Sequence, residues 1–141
     1  LTDIWSVHNY TQEKDRLIDE LKITEGQEPY RNSRDKKYLA VYEGQPYMLD
    51  EFGGIPWMAA TDRNNSWGYG GMPKDEEAFY QRLEGQIDAL IASKHVCGFC
   101  YTQLTDVEQE KNGVYYYDRR PKLDMKRIKA IFEKIPSRPA K

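Results

Sequence analysis

Among the 141 residues, the one best placed to do chemistry is Glu51, in the run Pro46-Tyr47-Met48-Leu49-Asp50-Glu51-Phe52-Gly53-Gly54. The apolar and aromatic residues of this run read as a short buried strand, and the paired glycines stop it and let the backbone turn. A carboxylate where an interior strand meets a loop is costly to bury, so it is either solvated by the loop or held there to react. Asp50 is its neighbour, and strict strand alternation aims the two side chains at opposite faces. Three more acids, Asp106, Glu108 and Glu110, lack the glycine and the oxygen-rich spacing of a calcium loop, and read as loop salt bridges or backbone acceptors. Cys97-Gly98-Phe99-Cys100 has the spacing of a redox pair or half a zinc site. It falls within a predicted strand instead of at a helix start, and there is no second cysteine pair. Buried, unreactive thiols and no metal site are the expectation.

The elements that must position these groups follow from hydrophobic periodicity. Residues 3–10 read as a strand that turns polar from His8. A helix over residues 13–22 follows, with Leu17, Ile18 and Leu21 on one face, and then a polar loop over 24–36. Residues 37–42 read as a short extended segment before the Glu51 strand. The glycine-rich stretch from Gly53 to Pro73 also holds Trp57 and Trp67. Tryptophans are poor linker residues, so it reads as an ordered loop over a site. Asp75 is a good N-cap for a helix to about Ser93, whose stripe is Phe79, Leu83, Ile87, Leu90 and Ile91. Val96 to Tyr101 reads as a third strand, again polar at its end. Asn112-Gly113 predicts a turn before Val114 to Tyr117. Pro121 and Asp124 start a last helix carrying Met125, Ile128, Ile131, Phe132 and Ile135, which Pro136 ends.

Strand and helix therefore alternate three times, which predicts an α/β fold with a parallel sheet. Polar residues gather at the carboxyl ends of the strands, where such folds place their sites. Three such units cannot close a barrel, which takes about 250 residues. The formal charge of -2 gives no electrostatic footprint for nucleic acid or an anionic membrane. No apolar run approaches the roughly 20 residues of a membrane span, and no signal peptide is visible. Aromatic residues make up 13%, 11 of them tyrosine, which suits either a sugar cleft or a core with its hydroxyls at the wet edge.

Four stretches in order, residues 46–54 (PYMLDEFGG), 66–70 (SWGYG), 98–110 (GFCYTQLTDVEQE) and 112–122 (NGVYYYDRRPK), resemble the C-terminal part of the catalytic barrel of glycoside hydrolase family 2. That family holds β-galactosidases, β-glucuronidases and β-mannosidases. The likeness runs from Asp3 to Pro136. It implies that residues 1–141 are one partial TIM (β/α)8 barrel, strands six to eight with their helices and no second domain, and that Leu1 is an artificial start.

The resemblance also implies a retaining β-glycosidase with Glu51 as nucleophile. The family's acid/base is the Glu of an Asn-Glu pair, and no such pair occurs in these residues. It is expected upstream, and the fragment alone is expected to be inactive. Tyr10 is the candidate for the tyrosine that hydrogen-bonds the nucleophile, with Asn9 the alternative by register. His8 reads as a ligand contact or as a surface or cap histidine. Tyr101 stands where many members stack a tryptophan on sugar, and Gln103 is a candidate sugar contact. Trp57 and Trp67 read as platforms for sugar or aglycone, or as pins holding the loop to the rim. No cofactor is implied. The expected partner is a carbohydrate, with no nucleic acid and no membrane, and open strand edges should make the fragment self-associate. The rival reading is a non-catalytic carbohydrate-binding or interaction fragment.

Overall fold

The computed structural model describes residues 3–32 and 41–134. Three strands, β1 (Trp5–Asn9), β2 (Tyr47–Gly53) and β3 (Val96–Thr102), form one sheet in the order β1-β2-β3, with both pairs parallel. Helices α1 (Lys14–Glu20), α2 (Glu76–Ala92) and α3 (Met125–Phe132) alternate with them, and a 3-10 helix at Ala60–Asn65 interrupts the long loop. This is the α/β alternation that the periodicity predicts. The expected extended segment at residues 37–42 lies outside the described residues up to position 40, as do Ile135 and Pro136.

The helices cover one face of the sheet. Trp5, Val7 and Asn9 of β1 are buried on it, with Tyr47, Leu49 and Phe52 of β2 and Val96 of β3. Against them packs the expected stripe of α2, Phe79, Leu83, Ile87 and Leu90, each no more than 2% exposed, joined by Leu17 and Leu21 from the first helical unit. Fully burying a side chain of this size contributes about 1.5–3 kcal/mol, so this layer carries much of the stability. The Asp75 side chain accepts from the Ala78 amide at 2.7 Å to cap α2, and Asp124 accepts from the Lys126 amide at 2.9 Å to cap α3. Both acids satisfy amides that a helix start leaves without partners.

Three expectations are corrected. The turn expected at Asn112-Gly113 before Val114 to Tyr117 falls elsewhere: the turns of this region lie at Glu108–Gln109 and Tyr117–Asp118, and Tyr115 makes single bridges to Thr105 and Pro121. Asn112 and Gly113 serve close packing. The Asn112 side chain is buried, and a Cβ on Gly113 would sit 2.3 Å from the Asp106 amide nitrogen. Second, Cys97 and Cys100 are both exposed. They lie on an edge strand, and the register against β2 shifts between Tyr47 and Met48 beside Cys97, so simple alternation does not hold there.

The third correction concerns Asp50. Val7 pairs with Leu49 and His8 with Glu51, while on the other side Leu49 pairs with Phe99 and Phe52 with Tyr101. Against both neighbours β2 thus carries one extra residue after Leu49, which is a β-bulge. Leu49 and Phe52 both stay on the helical face, fully buried, so the two residues between them, Asp50 and Glu51, turn to the opposite face together.

Candidate active site

The face away from the helices gathers the polar side chains at the carboxyl ends of the strands. Glu51 projects there from β2. One of its oxygens, Oε2, accepts from the Tyr10 hydroxyl in a short hydrogen bond and lies 3.0 Å from His8 Nδ1. The other oxygen, Oε1, accepts no hydrogen bond among the described residues. Asp50 Oδ1 lies 3.6 Å from His8 Nε2, too far for a hydrogen bond, and this buried oxygen has no hydrogen-bond partner. The imidazole therefore sits between two carboxylates, one at each ring nitrogen.

Tyr10 is fixed from several sides. Its ring stacks on Tyr69, centroids 3.4 Å apart and planes within 4°. Burial and the hydrogen bond to Glu51 raise its pKa well above the usual phenol value, against a smaller opposing effect of the Thr102 hydroxyl, so it stays a donor at any working pH. The backbone on either side of it is anchored by Glu20 of α1, whose Oε2 accepts from Asn9 Nδ2 at 2.9 Å and from Thr11 Oγ1 at 2.6 Å. Gln86 of α2 adds a bond from Nε2 to the Thr11 carbonyl at 2.9 Å. Gln12 ties the exits of β1 and β2 together, donating to the carbonyls of Tyr10 at 2.8 Å and Gly53 at 2.7 Å.

The two glycines after Glu51 let the aromatic rings close in. Gly53 and Gly54 have φ of 87° and 61°. A Cβ on Gly53 would lie 2.2 Å from the Tyr101 ring, and one on Gly54 would lie 2.4 Å from the Tyr69 ring. Both positions need a residue without a side chain.

Of the residues singled out from sequence, the structure brings His8, Tyr10 and Glu51 together. Asn9 points to the other face, 1% exposed, with its Oδ1 accepting from the Thr11 amide as well. The Tyr101 ring packs edge-on between Phe52 and Phe132, both centroids 5.6 Å away. Its hydroxyl is buried without a hydrogen bond of good geometry, and burial raises its pKa, partly offset by the Ile55 backbone. Gln103 donates from Nε2 to Asn112 Oδ1 at 2.8 Å, and Asn112 in turn donates to Glu110.

Trp57 packs edge-on against Phe79 of α2 at 6.0 Å. Trp67 is 49% exposed, and its backbone is clamped to the loop after β3 by bonds with Gln109 and Lys111. Its ring meets Tyr69 edge-on at 5.8 Å, so a chain of rings leads from Trp67 through Tyr69 to Tyr10.

Sequence reasoning missed Tyr69 and Thr102 as neighbours of Tyr10, and Asp50 as a neighbour of His8. Only the polar end of β3 signalled Thr102, and nothing in a glycine-rich loop distinguishes Tyr69 from the other aromatics.

Of the later acids, Asp106 is engaged by a lysine and Glu110 accepts from Asn112. Asp106, 2% exposed, pairs through Oδ1 with buried Lys122 Nζ at 2.5 Å and accepts from the Gly113 amide at 3.1 Å. Lys122 also donates to the Trp57 carbonyl at 2.7 Å, which pins the long loop. Burial pulls the pKa of Lys122 down and Asp106 opposes that pull. Among the described residues no group of three or more His, Cys, Asp or Glu is placed to hold a metal ion, and no helix is long and apolar enough to cross a membrane.

The sequence matches no family model and no curated protein. Solved structures do match. A β-glucuronidase of Ruminococcus gnavus aligns with 93% of this chain at a TM-score of 0.59 and 18% identity. A glycoside hydrolase family 2 β-galacturonidase of Eisenbergiella tayi, bound to galacturonate, aligns with 92% at 0.58 and 18%. A glycoside hydrolase family 2 β-galacturonidase of Eisenbergiella tayi bound to glycerol aligns with 99% at 0.63 and 15%. The chain spans 22% to 25% of the length of these enzymes. In fold, this α/β unit matches a part of glycoside hydrolase family 2 β-glucuronidases and β-galacturonidases.

Proposed function

We propose that the chain is the part of a retaining β-glycosidase that carries the nucleophile, with its strands as the sixth to eighth of a (β/α)8 barrel. The observation that carries this reading is the asymmetric dressing of Glu51: Oε2 accepts from Tyr10 and lies 3.0 Å from His8 Nδ1, while Oε1 stays open at the carboxyl end of a parallel strand. A carboxylate held by one oxygen presents the other as an attacking atom. Oε1 bonds to the anomeric carbon as the bond from that carbon to the aglycone oxygen breaks. A second carboxyl, about 5–5.5 Å away, protonates the leaving oxygen and then takes a proton from the water that hydrolyses the ester. Asp106 is held by Lys122, and the second carboxyl is assigned to the rest of the barrel.

Trp67, exposed and backbone-clamped, serves as a platform at the rim, while Trp57 and Tyr101 stiffen the wall. The substrate is a β-glycoside whose epimer is read by strands elsewhere in the barrel. By itself the chain has β1 and β3 as open edges, and it is expected to self-associate and to hydrolyse nothing.

The test is mechanism-based labelling of a complete barrel containing this chain. A 2-deoxy-2-fluoro glycoside with a good leaving group should leave its sugar on Glu51, read by peptide mass mapping. An adduct on any other residue would refute the assignment.

A further inference from the structure

The long loop after β2 returns to that strand's exit at Tyr69, and the return is built into the backbone. Gly54, just after the Glu51 strand, is bonded on both sides. Its amide donates to the Thr102 carbonyl of β3 at 2.7 Å, and its carbonyl accepts from the Tyr69 amide at 2.8 Å. The glycines flanking Tyr69 let the loop lie flat on this frame. A Cβ on Gly68 would sit 2.7 Å from Pro56, and one on Gly70 would sit 2.6 Å from Gln12, which is itself pinned to the exits of β1 and β2. Trp67 exchanges backbone bonds with Gln109 and Lys111 of the loop after β3, both at 2.9 Å. Tyr69 therefore hangs from a backbone fixed on both sides.

This frame presses on the Tyr10 ring. Aromatic pairs favour offset or edge-on contacts with centroids about 4.5–7 Å apart, because cofacial rings set like charge against like. Trp67 and Tyr69 meet in the favoured way, edge-on at 5.8 Å, whereas Tyr69 and Tyr10 lie parallel at 3.4 Å. A pair in the less favoured arrangement is held there by its surroundings. The Gly54 α-carbon meets both rings: a Cβ there would lie 2.4 Å from Tyr69 and 3.0 Å from Tyr10. Tyr10 is thus walled by Tyr69 on one face and by Gly54 beside it, and its hydroxyl reaches Oε2 of Glu51.

We propose that Tyr69 is a positioning residue: its ring is the wall that holds the Tyr10 phenol on Oε2 of Glu51, and so fixes the rotation of that carboxylate. The inference rests on the proposed role of Glu51 for its catalytic meaning, while the brace itself is a property of this chain. A tyrosine side chain pivots about two bonds, and a parallel ring against one face closes the swing towards the loop. The stacked ring acts and not its hydroxyl, so phenylalanine is a competent replacement and an aliphatic residue is not. Misplacing a reacting group by about 1 Å can cost about 100-fold in rate.

In a complete barrel containing this chain, Tyr69→Leu should lower kcat by about 10- to 100-fold with KM little changed, and Tyr69→Phe should recover most of the loss. Because Tyr69 acts through the Tyr10 hydroxyl, adding Tyr10→Phe to Tyr69→Leu should lower kcat by less than about twofold more. Single effects that multiply, a loss confined to KM, or a Tyr69→Phe variant as impaired as Tyr69→Leu would each overturn the proposal.

A spectrum separates the brace from the identity of the nucleophile. With tyrosines labelled with carbon-13 at Cζ and the Tyr10 signal assigned by Tyr10→Phe, that signal reports both the shielding by a stacked ring and the hydrogen bond of its own hydroxyl. It should stand apart from an unstacked phenol in the wild-type barrel, move in Tyr69→Leu and stay in place in Tyr69→Phe. A Tyr10 signal that ignores Tyr69→Leu would overturn the brace whichever residue the fluoro glycoside labels. A wild-type signal at the position of an unstacked phenol would do so even if the variant does not fold. Labelling away from Glu51, with a Tyr10 signal that still follows Tyr69, would sink the glycosidase reading and leave the brace standing.

Discussion

Carboxylates are handled in two different ways in this molecule. Around the helical layer they meet lysine or arginine: Glu77 with Arg127, Asp88 with Lys14 and Lys134, Glu20 with Arg16, and the buried Asp106 with Lys122. On the open face of the sheet, Asp50 and Glu51 meet an imidazole and a phenol, and neither pairs with lysine or arginine among the described residues. A permanently charged partner fixes a carboxylate and lowers its reactivity. A phenol and an imidazole orient it while leaving its charge available. The first arrangement contributes stability, and the second suits a group that must form and break a covalent bond.

Exchanging the charge on each side gives the sharpest test of that contrast. In a complete barrel, Glu51→Gln should lower kcat by roughly 10⁴-fold or more, the scale on which a lost covalent nucleophile registers. The same substitution should leave stability to unfolding within about 0.5 kcal/mol, because Gln Oε1 still accepts from Tyr10. A large loss of stability with activity retained would put Glu51 among the structural carboxylates.

Asp106→Ala is the converse. It leaves Lys122 Nζ, fully buried, with only carbonyl partners. Removing one partner of a buried ion pair costs about 3–5 kcal/mol, visible in a urea titration as a lower midpoint. Because Lys122 also holds the Trp57 carbonyl, protease accessibility of the long loop should rise in parallel. A midpoint unchanged by Asp106→Ala would mean that the pair is not closed in solution.

The open face depends on aromatic rings lying directly on the backbone of Gly53 and Gly54. Gly53→Ala places a methyl 2.2 Å from the Tyr101 ring at a φ of 87°, and should cost at least about 1–3 kcal/mol. Gly71→Ala is the control, with nothing within 4 Å of the added carbon and no left-handed backbone, and should change stability by less than about 0.5 kcal/mol. Equal effects in thermal melts would mean that the ring contact carries no constraint.

The helical layer was legible because it obeys period and cap rules. The stripe of α2 and the caps at Asp75 and Asp124 are local signals, and local signals survive folding. Alternation of strands and helices predicted the parallel sheet for the same reason. The open face was less legible, since its decisive feature is one inserted residue in β2. A bulge has no composition of its own, so alternation separated Asp50 from Glu51 when the fold puts them side by side. The same limit explains Cys97 and Cys100, where a register shift and an edge position expose thiols expected to be buried. Tyr10 and Asn9 could not be told apart from sequence. The structure separates them by face, with Asn9 turned to Glu20 and Tyr10 to Glu51.

The smallest expected effect closes the contrast from the side of the paired acids. Asp88 accepts from Lys134 at 2.6 Å and from Lys14 at 3.1 Å, linking α2 to the first helical unit and to the segment after α3. Burial acts to raise its pKa, but the two lysines outweigh it and hold the carboxyl below its usual range. A folded-state pKa below the unfolded value of about 3.9 means that the unfolded chain takes up the proton first as the solution is acidified. The stabilisation is therefore complete above that pH and is lost as pH falls through the lower, folded value. Partial exposure and solvent screening keep it below about 1 kcal/mol. Asp88→Asn should reduce stability by that amount at neutral pH, and the gap to wild type should shrink at high salt and vanish in strong acid. A gap that persisted unchanged at low pH would assign Asp88 to packing instead of charge.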